Sequence, residues 1–394
     1  MSETTLPLPD QKTGERLRIA REAAKVTQAV AADAIGVART TLVAIEQGQR
    51  RVRTEELQKL ASTYGTSANA ILRREAIHLD LVPRFRRLPE NQQATTDEAV
   101  RLLNKLVSAE VELENALGIS RQPNYPAERP ILPGDVKAQA EQDAQDMRDW
   151  LGLGPGPVFD IVSLLSLQIG IRVYVRRMPG KISGLFAYDD AVGACILLNG
   201  AHPLDRLTQT AVHEFAHFMS TRNRPEVVTE GEILLSREER YANSFARSFL
   251  TPARAVRQKF AEITSGQSHL TRRHIILLAH AFGVSREAMV RRLEEISLAK
   301  PGTWDWFTAN GGISEDQVEA VVGASLKRHP HAQESLGLIP PRLSLLVREA
   351  WKRELYSEGQ LARLLDLDRH QIREILDGID AEIGEADDLL KLSH

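Results

Sequence analysis

Cysteine is nearly absent: Cys195 is the single one in 394 residues. One thiol cannot build an intrachain disulfide framework, and it excludes any zinc site made from a cysteine cluster. Long hydrophobic runs are missing as well. No stretch approaches the roughly 18 uninterrupted apolar residues of a membrane span. The opening MSETTLPLPDQKTGERLR has no apolar core of a secretory signal. A cytoplasmic chain without a membrane partner is expected. Charge of one sign is also scarce, the net being −3, so any nucleic-acid contact must come from a local basic patch. No internal repeat or low-complexity tract is visible. What remains is a globular composition, 42% hydrophobic and 26% charged, which excludes a wholly disordered chain. The length exceeds one ordinary domain, so two or three are expected.

Four zones follow from the patterning. Residues 12–72 are short helical periods with a tight turn at Gly36. Residues 73–135 begin basic and continue as an amphipathic pattern with Val100, Leu103, Leu106, Val107 and Val111 at helical spacing. Pro123, Pro126, Pro130 and Pro133 then mark a linker. Residues 136–300 read as helix, two or three strands and several helices. Residues 301–394 are helical again, with breaks at Gly311-Gly312 and Pro340-Pro341.

The first zone contains TQAVAADAIGVARTTLVAIE over 27–46. A helix from Thr27 to Ile35 stops at Gly36, and a second runs from about Ala38 to Glu46. Thr27 suits an N-cap, Ala31 a close helix crossing, and Gly36 a left-handed turn. Gln28, Arg39, Thr40 and Thr41 point outward near helix N-termini, where a recognition helix meets bases and phosphates. Arg50, Arg51 and Arg53 offer further cations. Between 12 and 60 there are ten Lys/Arg against six Asp/Glu, a basic head on a near-neutral chain. The plainer alternative is a helical docking module with solvated arginines.

The third zone contains LTQTAVHEFAHFM over 207–219. His213 and His217 stand four apart, so on a helix they share a face and can chelate one ion. Glu214 beside them suits a general base for amide hydrolysis, with zinc supplying an activated water. A catalytic site needs a third protein ligand. Glu239 and Glu238, in the later helical segment SREERYANSFARSFLTP, both qualify, and spacing barely separates them. The alternative is a pair of surface histidines, though Val212, Phe215, Ala216 and Phe218 place the helix against a core.

Other residues invite weaker readings. Tyr188 and Tyr241 could steady an oxyanion, yet a plain buried or surface tyrosine is the commoner state. His202 could orient an anionic intermediate or be a loop histidine without a role. Cys195 reads as a small buried hydrophobe. His269, His274 and His280 do not share a helical face and read as non-ligands. Residues 357–376 repeat the helix-turn-helix pattern, with Ser357 as N-cap, for protein or DNA contact.

Two resemblances sharpen these readings. RLRIAREAAKVTQAVAADAIGVARTTLVAIEQGQRRV, with Glu46, Gly48 and Arg50 closing its pattern, resembles the lambda-repressor/Cro-type (XRE) helix-turn-helix family. This implies a five-helix Cro-like domain, with Gln28 at phosphate or base edges and Arg39, Thr40 and Thr41 in the major groove of an operator. Such modules commonly act as dimers; a homodimer held partly by the 92–117 helix is expected. Residues 182–254 resemble the ImmA/IrrE metallopeptidases through the strand pair ISGLFAYDD and ACILLNG, the HEFAH helix, and Glu239, Ala242, Asn243, Phe245, Ala246, Leu250 and Pro252. Thr251 stands where methionine is usual. This resemblance implies Zn2+ held by His213, His217 and Glu239, Glu214 as base, and a regulatory protein substrate, a repressor or an antitoxin. It also implies structural helices over 277–296.

The expected fold is mostly α (α+β overall): an XRE-type domain at 12–72, linker helix and Pro-rich linker at 73–135, a zincin-like domain with a small sheet at 136–300, and a helical C-terminal domain at 301–394. The alternative function is a transcription factor or antitoxin whose second domain senses or binds without hydrolysis.

Overall fold

The computed structural model describes residues 9–66, 71, 90–119, 121–178, 182–222, 236–323 and 339–377, with side chains from 13 and, after the first gap, from 97. The chain forms two compact units, Met1–His78 and Leu79–His394. It is mostly helical, with one small mixed sheet.

The first unit holds α1 (Pro9–Ala23), α2 (Gln28–Ala34), α3 (Arg39–Glu46) and α4 (Thr54–Thr63). The Thr27 hydroxyl accepts from the Val30 N–H at 3.3 Å and so starts α2. Gly36 ends the turn after it at φ +69°, a conformation that costs a β-carbon dearly. The chain then bends by 100° into α3, within the range of a helix-turn-helix. Ala31, with no exposed surface, sits in the core with Leu17, Leu42, Ile45, Leu57 and Leu60. The expected fifth helix falls between 67 and 89, outside the described residues apart from Ile71, which is helical and buried.

The second unit is organised by strands β1 (Arg172–Arg176), β2 (Gly184–Asp189) and β3 (Gly193–Asn199), in the order β1-β3-β2. β3 runs parallel to β1 and antiparallel to β2. Alternation sends Val173, Val175, Phe186, Ala194, Ile196 and Leu198 into the main core. That core is completed by α6 (Val136–Trp150), α7 (Leu204–Thr221) and α8 (Arg237–Leu250). Arg148 of α6 is fully buried and satisfied by carbonyls alone: Phe249 at 2.5 Å, Gly154 at 2.6 Å, and Gly156.

The sheet's other face carries Arg172, Tyr174 and Arg176, and α5 (Glu90–Leu117) lies against it. Tyr174 Oη donates to Glu110 at 2.6 Å, and Arg172 pairs with Glu110 at 2.8 Å and Glu114 at 2.7 Å. The stripe Val100, Leu103, Leu106, Val107 and Val111 is buried within this single unit. That stripe is therefore consumed internally.

Helices α9 (Ala253–Ile263), α10 (Arg272–Phe282) and α11 (Arg286–Glu295) form a second core with α12 (Thr303–Ala309). The helix-turn-helix-like stretch at 277–296 is thus structural, as expected, and Arg292 is buried against Thr251 O and Glu141. α13 (Glu315–Val322) joins this group through Arg286–Glu315 at 2.7 Å. The remaining helices, α14 (Pro341–Lys352), α15 (Glu358–Leu365) and α16 (Arg369–Asp377), turn back so that α14 and α15 meet α5. Ser357 caps α15, accepting from the Gln360 N–H. Helices beyond Pro301 therefore divide between two neighbours.

Candidate metal centre and nucleic-acid interface

Helix α7 buries Leu207, Ala211, Val212, Phe215, Phe218 and Met219, which fixes its rotation against the sheet. On its other side His213, Glu214 and His217 are half-buried. The two Nε2 atoms lie 3.1 Å apart. The entry to α7 is set by Asn199 at the end of β3. Its Nδ2 donates to Met178 O and Ile182 O, and its Oδ1 accepts from the Met178 and Ala201 N–H groups. Strand end, hairpin start and helix approach are thereby tied to one buried amide.

The third ligand comes from α8. Ser236 caps that helix by accepting from the Glu239 N–H at 3.1 Å, which places Glu239 in its first turn. Glu239 Oε2 lies 3.3 Å from His213 Nε2 and Oε1 3.2 Å from His217 Nε2. Glu238, the competing candidate, is exposed. Donors about 2.0 Å from a tetrahedral zinc stand about 3.3 Å apart, the edge of such a tetrahedron. His213 Nε2 and His217 Nε2, 3.1 Å apart, match that edge; Glu239 meets them through different oxygens, and one donor atom from each of the three residues lies within 4.8 Å of the others. Among the described residues this is the single group of three or more His, Cys, Asp or Glu side chains so placed.

Electrostatics follow from this contact. Burial pushes the Glu239 carboxyl up, but hydrogen bonds from His213 and His217 outweigh it and hold the group well below the usual range. Burial likewise lowers His213, yet Glu239 and a hydrogen bond with Asn243 raise it overall. Asn243, one turn after Glu239, was visible in sequence only as part of a motif. Glu214 is pushed up by burial against the opposing pull of both histidines. Its carboxylate lies along β2, where Gly184 leaves room: a β-carbon there would stand 3.2 Å from Glu214 Oε1.

Tyr241 is not brought to this cluster. It follows Glu239 by two residues, about 200° around the helix, and is fully buried. Its hydroxyl donates to Asp143 at 2.8 Å, and Asp143 also accepts from Arg129. Tyr188 on β2 packs beside Phe218 at 6.3 Å. His202 is half-buried between β3 and α7, with no hydrogen-bond partner at Nδ1. Cys195 is wholly buried, and burial pushes its thiol up to about 12. His274 accepts from the Thr271 N–H and serves as a helix-capping group.

In the first unit, Arg39 and Thr40 are exposed at the start of α3, and Thr41 is half-buried. Arg39 Nε and Nη2 donate to Gln28 Oε1 at 3.3 and 3.2 Å. Gln28 Nε2 donates to Glu46 Oε2 at 3.0 Å, and Glu46 accepts from Arg21 at 2.6 and 3.2 Å. Arg50 differs from expectation: its guanidinium pairs with Glu56 at 3.1 and 2.8 Å, so that cation is neutralised within the domain. Arg51 is exposed. Arg369 and Arg373, on the C-terminal helix pair, are exposed, and Arg373 pairs with Glu358 at 3.1 Å. Among the described residues no single helix is long and apolar enough to cross a membrane.

Two family models match the chain. The family model of a helix-turn-helix domain matches residues 13–73. That of the IrrE N-terminal-like domain, peptidase family M78, matches residues 167–294. No curated protein matches the chain. The chain thus joins an XRE-type helix-turn-helix DNA-binding domain to an IrrE N-terminal-like domain of the M78 peptidase family.

Proposed function

We propose that this protein is a cytoplasmic, operator-binding regulator, acting as a homodimer, whose second unit hydrolyses a peptide bond in a regulatory protein, a repressor or an antitoxin. The observation that carries the reading is the convergence of one donor atom each from His213, His217 and Glu239 to within 4.8 Å of one another, with Glu214 on the helix of the two histidines. His213, His217 and Glu239 would hold Zn2+. The ion would supply Lewis acidity, polarising the scissile carbonyl and acidifying a water. Glu214 takes the proton from the attacking water and returns it to the departing amine. Strand β2 is an edge of the sheet, and Gly184 brings that edge against Glu214. An extended substrate segment pairing with β2 would lie beside the base.

The test is incubation of the protein with the repressor or antitoxin encoded beside its gene, with and without a chelator. Wild type is expected to cleave only without chelator. Glu214→Gln should retain zinc by elemental analysis and lose about 100-fold or more in rate. Cleavage by that variant at the wild-type rate would remove Glu214 from the reaction. Zinc bound with no cleavage by wild type would favour the other reading, a sensor domain that transmits to DNA without hydrolysis.

A further inference from the structure

We propose that Arg39 reads a guanine in the operator and that Gln28 is its positioning residue, not a base reader itself. The inference rests on the reading that α3 enters the major groove. Four side chains run from the core of the first unit to its surface: Arg21, Glu46, Gln28 and Arg39. Glu46 is buried and gripped by both Nε and Nη2 of Arg21. A carboxylate only accepts, so Gln28 must turn its NH2 group inward to Glu46 and its carbonyl outward. That carbonyl accepts from Nε and Nη2 of Arg39. Both ends of the Gln28 amide are therefore engaged, and it cannot make the paired donor–acceptor contact that reads adenine.

Arg39 keeps what Gln28 does not use. The second Nη2 hydrogen and the neighbouring Nη1 hydrogen remain as two parallel donors at the tip of an exposed side chain. In the major groove, two adjacent acceptors are the signature of guanine, O6 and N7. Adenine offers an acceptor beside a donor, which a donor-only fork cannot satisfy. Gln28 is neutral, so it orients the guanidinium without cancelling its charge. Arg50 shows the contrast: there Glu56 takes both the fork and the charge.

The experiment is selection of bound duplexes from a randomised pool with the full-length protein, followed by binding titrations at one fixed salt concentration. Wild type should select a fixed guanine, and replacing it with 7-deazaguanine or adenine should weaken binding about 10- to 100-fold. Arg39→Ala should bind the guanine and 7-deazaguanine duplexes equally while keeping its preferences at the other positions. Arg39→Lys, which retains the charge and replaces the planar fork with an ammonium, should keep part of the guanine preference, because lysine also donates to O6 and N7. Gln28→Ala should blunt discrimination at that same position only. If Arg39→Ala weakens all sequences equally, Arg39 is a phosphate contact and the proposal fails while DNA binding stands. If wild type enriches no sequence, the operator reading fails and takes this proposal with it.

Discussion

At Gly184 the lack of a side chain is what lets β2 approach Glu214. A β-carbon there would stand 2.6 Å from Thr210 Cγ2, 3.2 Å from Glu214 Oε1 and 3.3 Å from Glu214 Cγ, its three nearest neighbours, none of them on His213, His217 or Glu239. Gly184→Ala should therefore keep the metal and lose rate, by about 100-fold for a displacement near 1 Å. Peptide cleavage and zinc content measured side by side check this, and Thr210→Ala in the same chain should recover part of the loss. A variant losing zinc in step with rate would place the effect on the ligands instead. At this scale the sequence was legible where spacing on one helix decides geometry, as for His213 and His217. It was ambiguous between Glu238 and Glu239 until the Ser236 cap and the helix rotation resolved them. It read Arg50 as a cation for DNA and did not show its partner Glu56, six residues on across a turn. It offered Tyr241 as an oxyanion stabiliser and did not show that its hydroxyl meets Asp143, on a helix 98 positions away.

Elements α5, β1 and α14 meet through buried charge. Glu114 accepts from Arg172 at 2.7 Å and from Arg342 at 2.6 Å, and Arg342 also pairs with Glu110 at 3.3 Å. Burial opposes the Glu114 charge, but the two arginines outweigh it and lower its carboxyl below the ordinary value of 4.5. A lowered folded value means stabilisation that is present above the unfolded value and lost as the pH falls through the folded one. Glu114→Gln should thus cost about 3 kcal/mol at neutral pH, and its deficit should shrink progressively below pH 4.5. Urea midpoints of both proteins from pH 7 to pH 3 measure it. A deficit independent of pH would show that packing, not charge, joins these helices. The amphipathic pattern of α5 was plain in its sequence, because periodicity records which face is buried. What buries it was not, since an apolar stripe fits a sheet as well as a second copy of itself.

For the molecule as a whole, the segment that the M78 family model recognises, 167–294, is smaller than the body around the metal cluster. Residues 136–300 alone would leave Arg172, Tyr174 and Arg176 facing water without Glu110, Glu114 or Arg342. That fragment is expected to be loosely packed or to aggregate, whereas residues 79–394 should give a cooperative melt. Near-UV circular dichroism of the two separates the outcomes, and a fragment as well ordered as the longer piece would overturn the expectation. Composition and motif order set the helix-turn-helix head apart from the rest, but divided into three zones, 73–135, 136–300 and 301–394, what the structure holds as one unit from Leu79 onward. The return of α14 to α5 was hidden, because it depends on contacts between residues more than 200 positions apart.

The charged face of β1 carries a consequence for descent. A relative that lost α5 and α14 would inherit a strand suited to neither water nor oil. It would survive by exchanging Tyr174 for a polar residue, or by finding another covering helix. The helix of His213 and His217 can therefore be carried between lineages only together with a shield for the opposite side of the sheet.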